Sequence, residues 1–139
     1  MNDTGLTIER AQWCEEVRQV LMPSVRRAPC FRVEDYGRML LNDPINTLLF
    51  SVRENGALVG HFILRIEHFA GGSEGVILAA AGKRRGHDLT AELLPLLEKR
   101  FRNVHAFRIS TARAGLVRKL QAQGYALTHW TLRKPAHAD

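Results

Sequence analysis

The sequence predicts one α/β (α+β) domain over residues 1–139, a mixed central sheet of about six strands with helices on both faces. Three patterns carry this expectation: a hairpin signature across residues 47–69, an uncharged strand at 75–81 leading through a basic glycine loop into an apolar-faced helix, and a later helix closed by Gly124. Hydrophobic residues make up 45% of the chain and charged residues 24%, a globular composition, and no Pro/Gly/Ser-rich linker divides it.

Leu6, Thr7 and Ile8 open a short first strand. Trp13, Val17, Val20 and Leu21 then recur at helical spacing and predict a helix over 11–22, with Glu15, Glu16 and Arg18 between them. Pro23 and Pro29 frame a basic connection, and 33–41 reads as a short helix with Tyr36, Met39 and Leu40 on its apolar side, stopped by Asn42, Asp43 and Pro44. Residues 47–53 and 57–69 are extended and flank the turn signal Glu54, Asn55, Gly56, which predicts a β-hairpin. A turn at Gly71, Gly72 and Ser73 precedes the uncharged run 75–81, the pattern of a strand covered on both faces.

Residues 82–86 form the basic loop, and Asp88 is placed to cap a helix with Leu89, Leu93, Leu96, Leu97 and Phe101 on its apolar side. Pro95 predicts a kink or a late start there, because it removes a backbone donor. A strand at 104–109, a helix at 113–123 with Leu116, Val117 and Leu120 inward, and a last strand at 126–132 complete the order β-α-α-β-β-β-α-β-α-β.

The formal charge of +6 favours an anionic partner, which a phosphorylated cofactor satisfies as well as nucleic acid does; nucleic acid is the weaker expectation. Cys14 and Cys30 lack the paired spacing of a zinc site, so no metal is expected. No apolar run reaches a membrane span and the first residues do not read as a signal segment, so the expected location is cytoplasmic.

Two stretches resemble the GCN5-related N-acetyltransferases: Lys83, Arg84, Arg85, Gly86, His87 and Asp88, similar to that family's acyl-CoA loop, and residues 120–125, similar to its helix ending in a Gly-Phe pair, here Gly124 and Tyr125. The resemblance covers 47–132, and residues 1–46 only by the order of their elements. It implies acetyl-CoA as acyl donor and a small-molecule or protein amine as acceptor. The pantetheine arm would lie along Ile77, Leu78, Ala79, Ala80 and Ala81, and the pyrophosphate on the loop from Lys83 to Gly86, with His87 and Asp88 beside it. Helix N-terminal amides and glycine-permitted close approach supply the physical basis.

Amine attack on a thioester needs a base, and Glu67, Glu74 and His68 are the candidates that the resemblance implies. His61 is a second histidine in the same strand, most simply structural. Asp88 stands where the family has Gly or Ala and would compete for the helix amides; Leu120 stands where it has its tyrosine general acid. A non-catalytic binding or structural relative is therefore the alternative, like the internal virion proteins of some tailed phages, which resemble this fold. The single strand expected after Tyr125 would leave a sheet edge open, which implies a homodimer.

Overall fold

Asn55 and Gly56 take left-handed backbone conformations, φ 51° and 89°, as a two-residue hairpin turn demands. In the computed structural model, which describes residues 5–25, 30–82, 88–111, 113–134 and 136, they join β2 (Thr47–Glu54) to β3 (Ala57–Phe69) as expected. β1 (Leu6–Arg10) pairs antiparallel with β2, and β4 (Gly72–Gly82) antiparallel with β3. β5 (Ala106–Ile109) follows a helical crossover and lies parallel to β4, giving the order β1-β2-β3-β4-β5.

Strand alternation sends two apolar sets to opposite faces. On one, Leu49, Ile63 and Ala79 meet Val17 and Leu21 of α1 (Glu15–Leu21) and Val33 and Tyr36 of α2 (Val33–Asn42). On the other, Phe50, Phe62, Leu64 and Ile77 meet Leu93, Leu94 and Leu97 of α3 (Leu89–Arg100) and Leu116 and Leu120 of α4 (Ala114–Ala122). Each of the Val, Leu, Ile and Phe side chains among them contributes roughly 1.5–3 kcal/mol by leaving water. Helix α1 starts at Glu15, not at residue 11, because the Ala11 amide donates to the Leu49 carbonyl at 3.0 Å and keeps the chain beside β2 after β1 ends.

Among the described residues the sheet has five strands where about six were expected. Residues 125–134 carry no helix or strand, so the run 126–132 is not the sixth. Strand-forming composition acts only through cross-strand packing, and here Trp130 is 82% and Leu132 93% exposed.

Pro95 neither breaks α3 nor delays its start. Having no N–H, it leaves the Ala91 carbonyl one turn earlier without its helical donor. The Gln123 side-chain amide, at the C-terminal end of α4, donates to that carbonyl at 2.9 Å. The proline's vacancy thus fastens α4 onto α3. Replacing Gln123 by Ala should cost about 1 kcal/mol in urea unfolding, and the loss should largely vanish in a Pro95→Ala background, where the backbone supplies the donor.

Candidate active site

Ile63 pairs with Ala79 and Leu64 with Ile77, so Leu78 is an extra residue in β4. Such a bulge bends its strand and increases the local twist. β5 pairs only with Glu74 to Ile77, and beyond Ile77 and Ile109 the two strands part. Residues 78–82 keep β3 on one side and have no strand on the other among the described residues. Ala79, Ala80, Ala81 and Gly82 present little side chain there, and Ile77 and residues 78–82 line one open groove. From α2, the Tyr36 hydroxyl donates to the Leu78 carbonyl at 3.2 Å and lies 3.4 Å from Ser24 Oγ. Burial raises the Tyr36 pKa, and the Ser24 contact opposes it.

The open edge runs toward the N-terminus of α3. Lys83, Arg84, Arg85, Gly86 and His87 lie outside the described residues. Asp88 is the N-cap residue, yet its carboxylate does not cap the helix: Oδ1 accepts from Arg113 at 3.3 Å. This corrects the expectation that Asp88 occupies the first-turn amides. Arg113 is the N-cap residue of α4, likewise without a side-chain cap bond, so the pair draws two helix N-termini to one end of the groove. Both dipoles present their positive ends there.

Glu67 and Glu74 are cross-strand partners on β3 and β4, and both pair with Arg108 of β5, Glu74 at 3.4 Å. All three line the groove. By alternation they stand on the α1/α2 face of the sheet. His68 projects to the other face, its Nε2 3.0 Å from Asn46 Oδ1. Leu120 is buried in the core at 4% exposure, and Tyr125, the nearest phenol in sequence, donates to Glu98 at 2.7 Å. Burial is the main cause raising the Tyr125 pKa, with the Glu98 contact adding to it. Arg108, Arg113 and Tyr36 are the additions that the sequence reading did not single out; the one local signal was Arg108, a lone charge between Phe107 and Ile109.

No protein-family model matches the sequence, and no curated protein matches it. Solved structures do. A possible acetyltransferase from Clostridium difficile 630 superposes with a TM-score of 0.71 at 9% identity, over 96% of this chain and 99% of that one. A predicted acetyltransferase from Clostridium acetobutylicum, solved with acetyl-CoA, gives 0.69 at 14% identity, over 94% and 96%. The fold is that of the GCN5-related N-acetyltransferases. A transcriptional regulator from Bacillus halodurans C-125 matches equally well, 0.69 at 17% identity over 94% and 99%, so the acetyltransferase fold by itself does not fix an activity. Among the described residues, no helix is long and apolar enough to cross a membrane.

Within this fold His61 occupies a buried place on the α1/α2 side, 4% exposed, with Nδ1 3.2 Å from Ser51 Oγ and no partner for Nε2 among the described residues. Burial lowers its pKa below 6.5; Glu16 and the Phe50 backbone oppose the shift, and Arg53 adds to it. The folded ring is therefore neutral, and the unfolded chain takes up the proton first. The His61 contribution to stability is intact above about pH 6.5 and is lost as pH falls through the lower folded-state value. Urea titrations from pH 7.5 downward should show this loss, and His61→Gln should flatten it.

Proposed function

We propose that this chain is an N-acyltransferase that takes acetyl-CoA as donor and the amine of a small molecule or protein as acceptor. One observation carries the reading: a bulged β4 whose edge from residue 78 to 82 meets no strand among the described residues and leads to two converging helix N-termini. An extended amide-bearing arm fits a free strand edge flanked by alanines, and a pyrophosphate fits unpaired helix amides beside Arg113. Acetyl-CoA would supply an activated thioester carbon.

Residues 78–81 would bind the arm by main-chain hydrogen bonds, since Ile77 is already paired with Ile109 of β5, and Lys83 to Asp88 with Arg113 would frame the phosphates. Glu67 and Glu74 are the groups available to take the ammonium proton, directly or through water. Arg108 pairs with both carboxylates and holds them side by side. The small pocket against Leu78, lined by Phe31, Tyr36 and Ser24, offers room for the acceptor beside the bulge.

Leu120 favours a second reading. With a buried leucine where the resemblance calls for a tyrosine acid, the protein would bind acetyl-CoA without turning it over.

Calorimetry with acetyl-CoA should show micromolar binding; none at high micromolar ligand would remove both readings. Asp88→Asn should tighten binding severalfold by removing a negative charge from the phosphate end and releasing Arg113, and an unchanged affinity would place the phosphates elsewhere. Glu67→Gln and Glu74→Gln should keep the affinity while at least one lowers amine-dependent thiol release about 100-fold. Binding with no thiol release from any amine tried would select the second reading.

A further inference from the structure

The cavity against Leu78 opens off the groove on the α1/α2 face of the sheet. It holds about 440 Å³, and Val25, Phe31, Tyr36 and Leu78 are its apolar walls. The Phe31 and Tyr36 rings tilt at 57° with centroids 4.8 Å apart, an arrangement that suits a further ring. Ser24, Leu78 and Arg133 line both the cavity and the groove, so they mark the mouth where the two meet. Leu78 is also the bulged residue, at the head of the edge assigned to the acyl donor.

The polar groups at this mouth are unequal. Ser24 Oγ donates to the Leu21 carbonyl at 2.7 Å and the Tyr36 hydroxyl to that of Leu78 at 3.2 Å, so both hydroxyl protons are engaged within the protein. Arg133 is exposed and makes no hydrogen bond or ion pair among the described residues. It is the one charged residue lining the cavity among them, and no carboxylate joins it. The mouth is thus built for an anion and the interior for an aromatic or apolar group.

We propose that the acceptor is a free α-amino acid with an aromatic side chain, its carboxylate on Arg133 and its ring between the walls of the cavity. The proposal rests on the acyl-transfer reading of the groove. Amine and carboxylate share one carbon in such a molecule, so a cation at the mouth fixes the amine beside the groove. The amine nitrogen forms the new bond to the acetyl carbon as the bond from that carbon to sulfur breaks. Of the two protons the ammonium loses, one goes to a groove carboxylate and on to water and the other to the departing sulfur, leaving an amide and a thiol. A polyamine would bring further positive charge to Arg133, and a protein N-terminus has an amide where the carboxylate is needed.

Calorimetry of the whole chain at saturating free CoA, which has no acetyl group to transfer, reads acceptor binding without turnover. Phenylalanine should bind. Phenylalaninamide, of the same shape without the carboxylate, and glycine, without the ring, should each bind about tenfold more weakly or worse. Arg133→Gln should weaken phenylalanine about tenfold, leave phenylalaninamide unchanged and keep the far-ultraviolet circular dichroism of the wild type. Acetyl-CoA, titrated separately, keeps the two readings apart. If it binds, the acceptor assignment alone is overturned by any of three results: no phenylalanine binding, equal binding of phenylalaninamide or glycine, or an Arg133→Gln change that weakens both aromatic ligands alike or neither. If acetyl-CoA does not bind, the groove reading fails and the acceptor assignment falls with it.

Discussion

The extra residue at Leu78 is the constraint on which the rest of the groove depends. A regular β4 would keep its hydrogen-bonding direction and let parallel pairing continue past Ile77. With one residue inserted, the strand bends after Ile77, and β5 reaches only to Ile109. The bulge leaves the Leu78 carbonyl outside the regular ladder, and the Tyr36 hydroxyl answers it from α2. The distortion is thus held from the α1/α2 face while the edge it frees opens toward α3.

Close packing at the far end of β4 sets where α3 begins. A Cβ at Gly82 would stand 2.2 Å from the Val59 carbonyl and 2.9 Å from Leu89, and one at Gly60 2.6 Å from Leu89. These glycines let the first residue of α3 sit directly on the β3/β4 ends, so the helix dipole points along the groove. The Asp88 and Arg113 pair at one end and the Gln123 contact on Ala91 further along then fix α4 against α3.

Much of this architecture was legible because it is local. Asn55-Gly56 between alternating strands, the uncharged run before the basic loop, and leucines at helical spacing each specify their element within a few residues. What was not legible depends on partners distant in sequence. Asp88 looked like a cap because its competitor, Arg113, lies 25 residues away. Glu67 and Glu74 could be placed near a cleft, but their common partner, Arg108, follows only from the β3/β4/β5 register. Sequence position groups His68 with them, but alternation sends it to the opposite face, where it meets Asn46. The run 126–132 has the composition of a strand, and composition does not say whether an edge will receive it.

If the free edge of β4 is a ligand edge, amide-resolved NMR will show it. Adding acetyl-CoA should shift and protect from exchange the amides of residues 78–82 that face away from β3, together with the first-turn amides of α3. Amides of β1 and β2 should stay unchanged. Saturating ligand that leaves residues 78–82 unshifted and exchanging at their free rate would contradict the account.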